Sequence, residues 1–541
     1  LTVSAIEGAS ERLGLPQSFR ALLPGLPARV PLERLPEFQT AVPPQTAVPF
    51  GLTDEPDLQA QPAAYLDLAS ADHLMVGGGP QSGRTTFARA LITSLVTRFR
   101  PDKVHLYVVE HQPAGLADYS GLPHCGGVFS PAEPDRIRRL VGWLEAETQR
   151  RQAARFDPGE KDDPVIVLIV DGWEQFESRG DPNLADVTLG PRLRAVIETG
   201  APVGVHVVPM GGQDMLTGKV AALANRRLLL SFPNEDTRRL HLRSGVASPP
   251  VMPGRAVDAG TGRHVQICDP DEAAAHLAAR LAAERDTAAP ARLPRDFPSL
   301  PTRVRVEELK LPEPVPSPSW IPLGIGGEGV AGADLVTVGV DMFDVGPHLM
   351  FVGGPSGSGR TTAVATLAKL LSWNGIDVLA VAPPQSPLKG MLADEEDIKV
   401  VSGMTVEDSA LRDAAESFGE GRYAVLLDDA ERVTIRPTQG RFSEEPTLLD
   451  EISQPSSFGH RALVIAADPN PILSGQRRSL AKVTSEIMLT GNRVLLTPAK
   501  RPDARQLNVT LEPDQYFTRP PGRCYLANVG TPTLLQLAVA G

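Results

Sequence analysis

The sequence predicts an α/β protein of two tandem modules, each a mostly parallel sheet flanked by helices. Three observations carry that expectation: a glycine-rich segment occurs twice, apolar strands alternate with amphipathic helices after each copy, and a proline-rich stretch separates the halves. The 541 residues are 42% apolar and 22% charged, an ordinary globular composition. The 52 prolines fit stiff joints between packed modules, being roughly twice the usual share.

The repeat defines the modules. Val76-Gly-Gly-Gly-Pro-Gln-Ser-Gly-Arg-Thr-Thr86 reads almost as Val352-Gly-Gly-Pro-Ser-Gly-Ser-Gly-Arg-Thr-Thr362. A strand ending in Asp follows each, at Val165–Asp171 and Ala424–Asp428. Ala224-Asn-Arg-Arg-Leu-Leu-Leu230 then pairs with Gly491-Asn-Arg-Val-Leu-Leu496, and Pro253-Gly-Arg255 with Pro521-Gly-Arg523. Four landmarks in one order predict modules over 1–285, with a lead-in over 1–50, and over 301–541, joined by a Pro-rich linker at 286–300. The segment Pro270 to Asp286 reads as a helix closing the first module.

Within module one, Leu74 to Val76 is a short buried strand, and the helix after it carries Phe87, Leu91 and Leu95 on one face. Val104 to Val109 is the next strand. Ile137, Leu140, Val141 and Leu144 predict an amphipathic helix whose arginines 136, 138, 139, 150 and 151 form a solvated face. The Asp171 strand and a strand over Val203 to Val208 complete a βα alternation that implies parallel pairing.

The doubled glycine segment carries the chemistry. Gly78-Gly79-Pro80-Gln81-Ser82-Gly83-Arg84-Thr85-Thr86 and Gly354-Pro355-Ser356-Gly357-Ser358-Gly359-Arg360-Thr361-Thr362 fit the P-loop pattern, with Arg at the Lys position. Glycines let backbone N–H groups turn inward around phosphate oxygens, and the following helix points its positive end at the same anion. ATP with Mg²⁺ is therefore the expected ligand. Thr85 with Asp171, and Thr361 with Asp428, are the candidate Mg²⁺ partners, and Asp171, Asp428 and Asp429 the candidate catalytic carboxylates.

The departures point towards poor hydrolysis. Arg84 and Arg360 keep the charge of the usual Lys but are bulkier and forked. The water-orienting Glu expected after the strand Asp is Gly172 in module one, with Glu174 out of register, and the shorter Asp429 in module two. Where a polar phosphate sensor is expected, module one has Met210-Gly-Gly212 and module two Asp468. These differences predict that module two holds nucleotide better. Arg226, Arg227 and Arg493 are candidate fingers towards a neighbouring nucleotide, with structural ion pairing as the alternative.

Composition removes other classes. A net charge of -12 argues against a large nucleic-acid footprint, so no nucleic-acid partner is expected. Cys125, Cys268 and Cys524 show no CxxC pattern, which fits a reduced compartment; His111, His124 and Cys125 make a poor zinc set without a fourth ligand. No apolar run approaches the roughly 20 residues of a membrane span. A chain beginning at Leu1, without Met, is expected to be part of something longer.

These motifs resemble the FtsK/SpoIIIE branch of P-loop ATPases, and more closely the tandem modules of the EccC/EssC motors of type VII secretion. The resemblance rests on Val48 to Pro62 with Leu66-Asp-Leu68, Gly121-Leu-Pro-His124 with the Arg-rich helix, Gly204-Val-His206, and Pro253-Gly-Arg255 with Val265-Gln266. It covers nearly the whole chain, most specifically 48–270. It implies the second and third ATPase modules of a membrane-anchored protein at the cytoplasmic face of the plasma membrane, preceded by a competent ATPase module. It also implies degenerate trailing modules, of which the last receives the C-terminal signal of a small helical-hairpin substrate in a groove within 300–541. A homo-oligomer is compatible with the family. The alternatives are an FtsK-like DNA-translocating motor and a competent ATPase with unusual motifs.

Overall fold

The computed structural model describes residues 23–38, 44–112 except 72, 115–154, 163–177, 189–234, 250–271, 293–327, 334–437, 446–469, 478–497, 501–511, 520–528 and 532–541, with isolated residues between 9 and 13 and between 241 and 277. Most of the helix expected over Pro270 to Asp286, the start of the expected linker and much of the lead-in lie outside the described residues. The chain divides into two units, one of residues 1–131, 148–175 and 193–295, the other of 132–147, 176–192 and 296–541.

The first unit is built on a ten-stranded sheet. Its strands are β1 (Ala47–Thr53), β2 (Ala63–Asp67), β3 (Leu74–Gly77), β4 (Val104–Glu110), β5 (Cys125–Phe129), β6 (Val165–Asp171), β7 (Val205–Gly211), β8 (Arg226–Leu230), β9 (Arg255–Asp258) and β10 (His264–Ile267). Their order is β2-β1-β10-β9-β8-β3-β7-β6-β4-β5. The six strands from β8 to β5 pair in parallel, and the other four extend the sheet antiparallel. Strands β4 and β6 are apolar almost throughout because a parallel sheet covered on both faces has no solvent side.

The second unit repeats this plan. After the short β11 (Val304–Arg305), its strands are β12 (Trp320–Gly327), β13 (Leu335–Asp341), β14 (Leu349–Gly353), β15 (Asp377–Ala382), β16 (Ile398–Ser402), β17 (Thr405–Glu407), β18 (Tyr423–Leu427), β19 (Thr434–Arg436), β20 (Arg461–Ala467), β21 (Asn492–Leu496), β22 (Arg523–Ala527) and β23 (Thr533–Val539). The main path is β13-β12-β23-β22-β21-β14-β20-β18-β15-β16, position for position the order of the first unit. The duplication read from four short motifs is thus a duplication of whole sheets.

The helix Arg84–Arg98 is more deeply set than its apolar stripe implies. Besides Phe87, Leu91 and Leu95, it buries Ala88, Ala90, Ile92 and Val96, and Phe87 meets Phe50 edge-on at 5.0 Å. Removing one such large side chain costs about 2–5 kcal/mol, so this helix is held firmly under the phosphate loop. No helix among the described residues is long and apolar enough to cross a membrane.

The helix Pro134–Ala154 carries only part of the solvated arginine face expected of it: Arg150 is exposed, and Arg136 and Arg138 are half-buried. Arg139 and Arg151 are buried. In the first unit Arg151 donates to the carbonyls of Val203, Gly204 and Pro164 at 3.2, 3.3 and 2.9 Å. In the second unit Arg136 and Arg139 donate to the carbonyls of Phe297 and Pro298. Guanidinium groups with several fixed donors cap carbonyls that a sequence pattern does not reveal. Phe297, near the end of the expected linker, is fully buried and meets Trp143 at 5.7 Å.

Candidate functional site

In the first unit, β3 ends at the glycine segment and the loop turns into the helix Arg84–Arg98. Gly83, at φ +105°, precedes that helix, and Gln81 sits at φ +57°. The loop is close-packed inside: a Cβ on Gly78 would lie 2.4 Å from Ser82 Oγ. Ser82 Oγ is buried and has no hydrogen-bond partner. A buried hydroxyl left open within a glycine-rich loop suits a phosphate oxygen.

Strand order sets what faces this loop. Strand β7 lies between β3 and β6, so its end, Gly211 to Gln213, stands between the phosphate loop and Asp171. Gly172, at φ +92°, turns the chain sharply, and the N–H groups of Gly172 and Trp173 donate to the Met210 carbonyl at 2.9 and 3.0 Å. This fold-back carries Glu174 into the site. Its two carboxylate oxygens lie 3.3 and 3.4 Å from the Gly212 N–H that donates to them. Glu174, out of register by counting, is a wall residue in space.

The glycine segment, Asp171, Glu174, His111, Gln112 and Gln213 border a cavity of about 760 Å³. That is within the roughly 300–1,000 Å³ of ligand pockets. Asp171 is buried, its Oδ1 has no hydrogen-bond partner, and the Arg84 guanidinium comes no closer than 4.0 Å. Burial pushes its carboxyl above the ordinary range; Arg84 opposes that shift, and Glu174 and Glu110 add to it. An under-satisfied carboxylate beside a phosphate loop fits a divalent cation. Burial lowers the His111 pKa, so the ring is neutral at pH 7 beside Asp171, whose carbonyl oxygen lies 3.1 Å from Nδ1.

The second unit has the same loop with its cation engaged. Gly357 and Gly359 lie at φ +82° and +99°, and Ser358 Oγ is again buried without a partner. Arg360, however, is only 7% exposed, with Nη2 at 2.7 Å from Asp429 Oδ1 and Nη1 at 3.0 Å from Glu431 Oε1. Asp429 reaches it from φ +46°. Thr361 Oγ1 donates to Asp428 at 3.0 and 3.2 Å, and Ser386 Oγ donates to Asp428 Oδ2 at 2.6 Å. Burial raises the Asp428 carboxyl pKa, a shift that the Ser386 and Thr361 hydroxyls oppose. Asp468 follows β20, which separates the strands of the phosphate loop and of Asp428.

Several wall residues carried no motif. His111 and Gln112 follow β4 at its carboxyl end, where ligands of parallel sheets gather, and that rule alone would find them. Gln213 stands one residue beyond Met210-Gly-Gly212, the segment where a polar sensor is expected. Ser386 and Glu431 had no signal in sequence. Two of the three candidate fingers are structural: Arg226 donates to Asp258 and to the Tyr65 carbonyl at 2.9 and 2.6 Å, and Arg493 to the carbonyls of Met488, Asn508 and Asn528. The zinc set does not assemble. His124 Nε2 lies 2.8 Å from the Phe99 carbonyl, and the described residues hold no group of three or more metal-ligating side chains. Cys268 and Cys524 are buried thiols, Cys268 pushed up to about 12, too high for reactivity at neutral pH.

Residues 44–160 match the FtsK/SpoIIIE family model. The chain is 27% identical over 358 residues to the ESX-1 secretion system protein EccCb1 of Mycolicibacterium smegmatis, a match covering 60% of this chain and 57% of that protein. It is 26% identical over 396 residues to EccCb1 of Mycobacterium tuberculosis, covering 67% and 64%. The chain thus spans less than two thirds of these relatives. Among solved structures, the cytoplasmic domain of the Thermomonospora curvata type VII secretion ATPase EccC superposes with a TM-score of 0.67 at 19% identity, over 97% of this chain and 65% of that one. EssC ATPases 2 and 3 from Geobacillus thermodenitrificans superpose at 0.64 and 16% identity, over 96% and 100%.

Proposed function

The chain belongs to the EccC/EssC type of the FtsK/SpoIIIE family, and we propose that it is the nucleotide-holding and substrate-receiving part of a type VII secretion motor. The nucleotide reading rests on one observation: the first unit's phosphate loop opens on a cavity of about 760 Å³ walled by Asp171 and Glu174. There Gly78 to Gly83 would cradle the phosphates, Arg84 would supply a cation, and Thr85 with Asp171 would hold Mg²⁺, all of them lining that cavity. Bound Mg²⁺ would neutralise phosphate charge. Hydrolysis is slow, because an Arg replaces the Lys and Glu174 approaches from a displaced position.

The second unit is the weaker nucleotide site, the reverse of the ranking that its motifs suggest. Asp429 and Glu431 neutralise Arg360, so phosphate gains little from it. Its role is recognition. EccC of T. curvata, ATPases 2 and 3, has been solved with a signal sequence peptide and shares this fold at a TM-score of 0.61. That supports a groove in 301–541 for the C-terminal signal of a helical-hairpin substrate. In the cell the chain works beside a preceding ATPase module and a membrane part, at the cytoplasmic face of the plasma membrane. A peptide copying such a signal should bind this chain with an affinity that falls little in high salt, because apolar burial drives helix-in-groove binding. Absence of binding would remove the receptor role and leave the nucleotide reading standing.

A further inference from the structure

We infer that Arg255 and its counterpart Arg523 are positioning residues that tie the lead-in of each module to its phosphate loop. The same linkage is built twice. In the first unit Arg255 Nη2 donates to the carbonyls of Leu26 and Pro27 at 2.9 and 3.0 Å, and Nε donates to Gln266 Oε1 at 2.8 Å. Gln266 Nε2 reaches the Pro253 carbonyl at 3.4 Å, and the Gly254 N–H donates to the Ser82 carbonyl of the phosphate loop at 2.9 Å. In the second unit Arg523 Nη2 donates to Leu300 and Pro301 at 3.1 and 2.8 Å, and Nε to Gln536 at 3.0 Å. Gln536 Nε2 donates to Pro521 at 2.9 Å, and Gly522 N–H reaches the Ser358 carbonyl at 3.4 Å.

The residue types are those the linkage needs. Both arginines are buried, 8% and 7% exposed. A guanidinium can serve two carbonyls and a carboxamide at once in a fixed plane, which a lysine ammonium cannot copy. Gly254 and Gly522 lie at φ +74° and +78°, and a Cβ on either would fall 2.9 or 2.8 Å from the glutamine amide. A Cβ on Gly83 would lie 2.7 Å from Gly254 N, so the last glycine of the loop packs directly on this turn; at Gly359 the matching distance is 3.6 Å. The tie is therefore tighter in the first unit. Through it the incoming segment and the phosphate loop share one rigid turn, so a change at either end is felt at the other.

The test uses the whole chain. Arg255→Lys should speed amide exchange at 78–84 in nucleotide-free protein about tenfold and weaken Mg-ATP binding by a similar factor, with exchange in β6 unchanged. Mg-ATP should slow exchange at 26–30 in the wild type and not in the variant. This last effect rests on the nucleotide reading of the first unit; the nucleotide-free exchange does not, so a wild type that binds no Mg-ATP would refute that reading while exchange at 78–84 still decides the tie. Should Arg255→Lys fold poorly, Gln266→Met removes the bridge to Pro253 and should move the same amides two- to threefold, to order of magnitude. A folded Arg255→Lys or Gln266→Met protein with unchanged exchange at 78–84 would overturn the inference.

Discussion

Arg360 Nη2 lies 2.7 Å from Asp429 Oδ1, whereas Arg84, at the equivalent place in the first unit, comes only within 4.0 Å of Asp171. One guanidinium is locked between carboxylates and the other is left beside an open cavity. The difference turns on two residues after the Asp strand. The second unit has Asp429 and Glu431, and the first has Gly172 and Glu174.

If this lock closes the second site, opening it should help nucleotide. Asp429→Ala should destabilise the protein by about 1–3 kcal/mol, because a buried guanidinium keeps only one of two partners. Mg-ATP should recover part of that loss by offering phosphate in place of the carboxylate. Urea melts with and without Mg-ATP measure both effects.

Hydrolysis should be slow, with turnover below about 1 s⁻¹. What turnover there is should fall about 100-fold on Glu174→Gln, a loss typical of a removed general base. Thr85→Ala with Thr361→Ala should abolish it. Steady-state phosphate release is the measurement; unchanged turnover in Glu174→Gln would make that residue a wall only.

The Asp171 carboxylate should cost stability in the absence of metal. Its folded pKa is raised by burial, so the folded state binds the proton more tightly than the unfolded chain, and stability is lost as pH rises through the folded value. Asp171→Asn should therefore stabilise the metal-free protein at pH 7 by about 1 kcal/mol. Mg²⁺ should raise the melting temperature of the wild type and not of this variant.

His206 should give the opposite pH trend. It is fully buried, Nε2 lies 3.0 Å from the Leu68 carbonyl, and burial lowers its pKa from 6.5 to about 4. The unfolded chain takes up this proton first, so stability should fall as pH drops from about 6.5 to 4, by about 2–3 kcal/mol. Denaturant midpoints at pH 7.5 and 5 should converge in His206→Gln relative to the wild type.

Much of this architecture was legible because periodicity and glycine placement are local. The doubled glycine segments, the Asp strands and the Pro-Gly-Arg turns each marked a real junction in the sheet. What failed was long-range. Arg139 and Arg151 lie on a helix face that reads as solvated, yet they cap carbonyls distant in sequence. Counting along the chain puts Glu174 out of register, because the turn at Gly172 that brings it back exists only in three dimensions. Asp429 reads in sequence as a shortened base, whereas in the structure it is a partner of Arg360. The tie from Arg255 to Leu26 spans a separation that no motif encodes.

The most direct measurement is the stoichiometry of Mg-ATP binding to the whole chain by isothermal titration, in the wild type, in Thr85→Ala and in Thr361→Ala. The account predicts one dominant site per chain, lost in Thr85→Ala and kept in Thr361→Ala. A dominant site that survives Thr85→Ala and disappears in Thr361→Ala would contradict it.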